Sequence, residues 1–257
     1  MKVALHDTDH PGGGKIVSLN ADRTDVGTGT DVPADYNVKI GDYTTTLSEM
    51  TGAVDLLPPG TYHVNMWNTA EHITVDGTTA TADYSDGLIG WFFTGVADQT
   101  VEADRDYTID VPMRQQVREL TLALEPTGDA KDLIADVAAS LSGVAGAIDI
   151  ETGNPVGAAV SVNPAFEKGS DGKYYATIRL LGVTGTEQKL SLTLRYAGGN
   201  PSAQTVVCDL SSQLAAFNAD KKTPLTLNAI VVVTPTANGF SATIEEWEEN
   251  GKTIIAK

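Results

Sequence analysis

The sequence predicts an all-β protein, sheet packed on sheet, and three observations carry that prediction. Polar and apolar residues alternate in short runs, as in Tyr62-His63-Val64-Asn65-Met66, the period of a half-buried strand. Gly, Pro, Asn and Asp break these runs at roughly 8 to 12 residues, the spacing of a sandwich. Helical spacing occurs in one segment alone, Asp129 to Leu141. The chain has 257 residues, beyond the usual single-domain size. Because one domain typically holds about 100 to 150 residues, two are expected, residues 1–113 and 114–257.

Taken in order, residues 2–6 read as a first strand and Ile16 to Leu19 as a second, across Pro11-Gly12-Gly13-Gly14. Ala21 to Asp35 is acidic, rich in Gly and Thr, and without an apolar period, so it reads as a long loop. Tyr36 to Ile40 alternates and turns through Gly41-Asp42 into Tyr43 to Leu47. Pro58-Pro59-Gly60 fixes two φ angles and hands the chain to a strand ending at Trp67. Asp76-Gly77 marks a hairpin between Ile73 to Val75 and Thr78 to Tyr84. Trp91 to Val96 and Thr108 to Val111 complete the first set.

A second set starts with Val117 to Leu124, whose Leu120, Leu122 and Leu124 need a core. Asp129 to Leu141 places Leu133, Ile134, Val137 and Leu141 on one side of a helix, with Asp129 as N-cap; Val137 to Leu141 equally suits a strand. Strands follow at Ala147 to Ile150, Ala158 to Val162, Tyr174 to Leu181, Leu190 to Tyr196, Thr205 to Leu210, Leu225 to Val233 and Phe240 to Trp247. Gly60-Thr61-Tyr62 and Gly172-Lys173-Tyr174 both launch a strand from a glycine turn, a faint internal echo.

The net charge of −17 disfavours nucleic acid and direct electrostatic membrane binding, since both present anionic surfaces. It favours cations or a basic partner protein. Cys208 is the single cysteine, so no intrachain disulfide forms, and Thr205 to Asp209 reads as a strand with an inert, buried thiol. The start of the chain turns polar too soon for a signal peptide, while Val3 and Leu5 alternate as at the start of a mature domain.

Catalytic chemistry finds little support. His6-Asp7-Thr8-Asp9-His10 places two imidazoles on one strand face, more simply a solvated terminal strand than a zinc site. Asp22, Asp25, Asp31 and Asp35 lack the spacing of a calcium loop. There is no Gly-x-Ser-x-Gly elbow or Walker lysine, and Gly27-Thr28-Gly29 lacks a third glycine. His63 and His72 flank the Trp67 region, where the two could sit together, but four histidines in the chain give no argument for a triad. Trp67, Trp91 and Trp247 read either as core or as a sugar-stacking platform, with core favoured because Trp91-Phe92-Phe93 must bury at least one face. Glu245-Glu246-Trp247-Glu248-Glu249 reads as a solvated edge, and Lys252 to Lys257 as a last strand or a segment offered to a neighbour. No catalytic, cofactor-binding or metal-ligating residue is assigned, and no cofactor is expected.

The succession of Leu57-Pro58-Pro59-Gly60-Thr61-Tyr62, Arg118-Glu119-Leu120-Thr121-Leu122, Leu141-Ser142-Gly143-Val144 and Ala242-Thr243-Ile244-Glu245-Glu246-Trp247 resembles the fimbrillin superfamily of Bacteroidales. Within it, the fimbrial anchor or minor-subunit branch is most similar. The resemblance implies two tandem transthyretin-like, Greek-key β-sandwich domains, export as a lipoprotein to the outer membrane, and a non-catalytic role in surface fimbriae, with other fimbrial subunits as partners joined by strand exchange. The lipid-bearing cysteine of that pattern has no counterpart here, since Cys208 is internal; either the sequence omits it, and a membrane link needs an anchor missing from this chain, or the protein is not an anchor. The resemblance also places a donated or accepted strand at the C-terminal end, and Lys15 and Arg23 lie in stretches open to proteolytic maturation. The other reading is a glycan-binding surface lipoprotein using exposed tryptophans.

Overall fold

The computed structural model describes residues 13–27, 30–50, 55–129, 131–199, 203–236, 239–245 and 247–249. The strand expected at residues 2–6, the His6 to His10 cluster and the tail 252–257 lie outside them. Among the described residues nine strands precede residue 116: β1 (Gly14–Asp22), β2 (Asn37–Ile40), β3 (Tyr43–Thr46), β4 (Asp55–Leu57), β5 (Gly60–Trp67), β6 (Ile73–Asp76), β7 (Thr79–Ala82), β8 (Phe93–Val101) and β9 (Asp106–Gln115). Ten follow: β10 (Arg118–Thr127), β11 (Ile134–Asp149), β12 (Pro155–Val162), β13 (Glu167–Lys168), β14 (Tyr174–Leu180), β15 (Lys189–Tyr196), β16 (Gln204–Asp209), β17 (Leu225–Thr236), β18 (Gly239–Ile244) and β19 (Glu248–Glu249). The one α-helix among the described residues is a single turn, α1 (Leu47–Met50). The protein is all-β, and among the described residues no helix is long and apolar enough to cross a membrane.

Contacts divide the chain into two compact units, neither a single stretch of sequence. The first comprises residues 1–81, 90–116 and 148–154; the second comprises 82–89, 117–147 and 155–257.

In the first unit the strand order is β3-β2-β5-β8-β9-β1-β4. β9 runs parallel to β1 from Asp106 to Pro112 and pairs antiparallel with β8 only from Met113 to Gln115. The sheet therefore bends at β9, and its two arms share one core of Ile16, Val38, Ile40, Val64, Met66, Phe93, Ile109, Val111 and Met113. Gly95 sits at the bend because a Cβ there would lie 2.7 Å from the Met113 sulfur and 2.8 Å from the Pro112 carbonyl. The Gly41-Asp42 hairpin forms as expected between β2 and β3. Asp35 ends the long loop by accepting from the Tyr36 and Ser48 amides at 2.8 and 3.0 Å, which fastens α1. The Pro-Pro-Gly corner is closed by the Tyr62 hydroxyl, which donates to the Pro58 carbonyl at 2.8 Å.

The second unit carries one sheet in the order β13-β14-β10-β17-β18, with β19 also on β17, and a ladder β16-β15-β11 with β12 also on β11. Here too an early and a late strand run parallel, β10 with β17, from Leu120 opposite Leu225 to Thr127 opposite Val232. Strict alternation fills the core: Leu120, Leu122 and Leu124 from β10; Leu190, Leu192 and Leu194 from β15; Leu225, Leu227, Val231 and Val233 from β17. Tyr84 plants the 82–89 segment in this unit. Its hydroxyl donates to the Ala145 carbonyl at 2.9 Å and accepts from the Leu181 amide at 3.1 Å.

The helix expected from Asp129 to Leu141 is not formed. A 3-10 turn spans Lys131–Leu133, and the rest is the long strand β11. The spacing misleads because buried Ile134, Val137, Leu141, Val144 and Ile148 recur every three or four residues, as on a helix face. Two irregularities create that spacing within a strand. The pairing with β15 shifts between Ile134 and Asp136. Gly143, at φ 74°, then moves the buried positions from odd numbers to even. No other residue fits there, since a Cβ would lie 2.4 Å from the Glu187 carbonyl oxygen.

Candidate functional site

The densest polar cluster lies in the first unit. Pairing of β5 with β8 sets His63 opposite Asp98, and the imidazole Nδ1 lies 2.6 Å from the carboxylate. Glu151 comes within 3.4 Å of Nε2 and accepts from the Asn65 side-chain amide at 2.9 Å. The Asp98 hydrogen bond raises the His63 pKa; burial opposes this, and the Glu151 charge adds to it. An imidazole held between two carboxylates has its protonated form favoured. His72 has its own carboxylate, Glu71, at 3.6 Å, so the two histidines have separate partners.

The other sequence candidates resolve singly. Trp247 is buried at 3% exposure in the core of the second unit. Trp91 is half-buried and packs against the core of the first, beside fully buried Phe93. Trp67 is half-buried on the face of β5 opposite Val64 and Met66. Cys208 is half-buried; burial pushes its thiol pKa up, offset in part by the Trp247 indole. Asp22 accepts from the Thr24 amide at 3.0 Å within a turn. Asp35 serves the α1 turn, where burial alone would raise its pKa and the Ser48 hydroxyl and amides bring it below the ordinary value. Among the described residues no three His, Cys, Asp or Glu side chains gather as for a metal.

A concavity of about 240 Å³ in the second unit is lined by Glu125, Lys131, Asp132, Lys168, Asp171 and Lys173. Two of its charges pair with each other, Lys173 reaching Glu125 at 2.7 Å, and the Tyr175 hydroxyl donates to Asp171 at 2.7 Å. It offers no apolar floor for a small ligand.

The remaining surface on which a β protein acts is its strand edges. Among the described residues, β13, β16 and β18 end ladders of the second unit, and β12 pairs with β11 alone. β13 has two residues. β16 and β18 are ordinary edges, one face turned inward: Cys208, Ala242 and Ile244 pack on the core while Val207 and Thr243 face out. β12 differs, with Gly157, Ala158, Ala159, Val160 and Ser161 all exposed in succession, so neither face is covered. Sequence reasoning placed this strand correctly but did not single it out, although residues 152–166 carry no charged side chain in a chain of net charge −17.

The family described as fimbrillin-A associated anchor proteins Mfa1 and Mfa2 matches this sequence over residues 31–252. Among solved structures, an adhesin candidate from Bacteroides ovatus superposes with a TM-score of 0.61 at 17% identity, covering 84% of this chain and 88% of that one. The fimbrial anchor protein Mfa2 from Porphyromonas gingivalis gives 0.59 at 14% identity, covering 93% and 98%. A candidate polysaccharide-binding protein from Bacteroides thetaiotaomicron gives 0.55 at 13% identity, covering 93% and 96%. No curated protein matches.

Proposed function

Because the chain belongs to the family of fimbrillin-A associated anchor proteins, we propose that it is a structural, non-catalytic component of cell-surface fimbriae, an anchor or accessory subunit. The observation that carries this is the span of the match, residues 31–252, which takes in both compact units. The fold suits the role. Sandwich units with open strand edges give strong, directional attachment through backbone hydrogen bonds and need no cofactor.

On this reading, partners are other fimbrial subunits, joined by β-strand exchange. The two units act as the two tandem transthyretin-like domains, nominally 1–113 and 114–257, with segments 82–89 and 148–154 traded between them. On the same reading, the protein is held at the outer membrane by a lipid anchor.

The test is to shear surface filaments from the native host and probe them for this chain, with a strain lacking the gene as comparison. The chain travelling with the filaments, or its loss shedding or lengthening them, supports the role. Unchanged filaments with the chain left in the membrane contradict it.

Glycan binding is the second reading, favoured by half-buried Trp67 alone. Replacing Trp67 with Ala would then abolish retention on immobilised polysaccharide.

A further inference from the structure

We propose that the open edge of β12 is a docking site for an extended, uncharged strand of another protein whose flanks carry Lys or Arg. The inference rests on the fimbrial reading for the class of partner, a subunit of the same filament; the edge itself is a property of this chain.

Three features of β12 set it apart. Its only ladder among the described residues is to β11, so one row of backbone N–H and C=O groups has no strand partner among them. Five successive exposed residues, Gly157 to Ser161, leave both faces bare, whereas β16 and β18 each bury one face. No charge guards it, although an edge Lys or an inward-pointing charge is the usual way a chain prevents unwanted pairing. A two-sided, uncharged strand gains most from a neighbour, because the added strand supplies a second ladder and brings side chains over both faces.

The same residues select the occupant. Ala158, Ala159 and Val160 offer no counter-charge, so the central residues of the partner must be uncharged. The small side chains Gly157, Ala158 and Ala159 leave room for branched neighbours on the added strand. A second copy of this chain is disfavoured, since edge-to-edge pairing would bring two bodies of net charge −17 together. A strand with basic flanks is drawn by that same charge.

The test uses the full chain and a synthetic peptide of four Thr-Val repeats flanked by Lys pairs, read by fluorescence anisotropy and hydrogen exchange. In the free chain, those amides of residues 156–162 that point away from β11 exchange rapidly. The peptide binds saturably, slows exchange there at least tenfold, and leaves residues 239–249 unchanged. Val160→Lys weakens binding at least tenfold, as does exchanging the flanking Lys for Glu. Ala158→Lys, at an exposed position, repeats the test should Val160→Lys not fold. Protection of the outward-pointing amides of 156–162 already present in the free chain, peptide protection confined to another strand, no binding, or indifference to both variants overturns the proposal. A dimer in sedimentation that protects 155–162 overturns the choice of occupant.

The filament assay separates this from the fimbrial reading. Peptide docking at β12 by a chain absent from filaments keeps the edge and removes the assembly role. A chain that travels with filaments but whose β12 ignores the peptide does the reverse.

Discussion

Two edges of the second unit meet solvent in opposite ways. The β18–β19 edge is fastened from beneath by Trp247 at 3% exposure, with Ala242 and Ile244 packed on the same core. Glu245, Glu248 and Glu249 stand along it. The β12 edge has no buried residue between Pro155 and Ser161 and no charge at all. Burial and charge close one edge against further strands; the other has neither defence. The difference teaches that edge exposure is not uniform in this protein and that the barest edge belongs to the strand that contributes least to the core.

The largest test of the contrast is core truncation against edge truncation. Trp247→Ala should cost about 3–5 kcal/mol, the loss of a buried aromatic plus its cavity. Val160→Ala should stay within about 0.5 kcal/mol, as at an exposed position. Urea denaturation with unchanged m-values measures both, and comparable costs would dissolve the distinction.

Tyr84→Phe should come next, at about 1–3 kcal/mol, because it strands the Ala145 carbonyl and the Leu181 amide. It sharpens the comparison by showing that β11 is held firmly although its partner β12 is not. A loss below a few tenths in chemical denaturation would remove Tyr84 as the fastening of that strand.

The smallest effect is electrostatic and lies in the first unit, where β12 has no part. The His63 pKa is raised above its ordinary value near 6.5, so its stabilisation is fully present below about pH 6.5 and is lost as pH rises through the raised value. His63→Gln should therefore reduce stability at pH 5.5 and be neutral at pH 9. At nearly half exposure the difference should stay below about 1 kcal/mol. A variant whose deficit grows with pH contradicts the assigned partners.

Much of the fold was legible because its signals are local. The Gly41-Asp42 hairpin and the alternation of Leu225, Leu227, Val231 and Val233 follow from turn chemistry and period two. β11 was misread because a register shift and the Gly143 kink convert a strand's burial into helical spacing, and both depend on partners far along the chain. Tyr84 and Glu151 gave no sequence signal, since each acts in the compact unit to which its own short segment belongs, a matter of contacts made only on folding. The uncharged run at 152–166 was readable as composition. Its two-sided exposure was not, because that depends on strand order, which composition does not encode.

The most direct test is cross-linking on the native host from two introduced cysteines, Ala159→Cys and Glu249→Cys, each in a Cys208→Ser background. The account predicts a fimbrial subunit joined at position 159 and none at 249. A fimbrial subunit joined at 249 instead, or no fimbrial subunit at either, would contradict it.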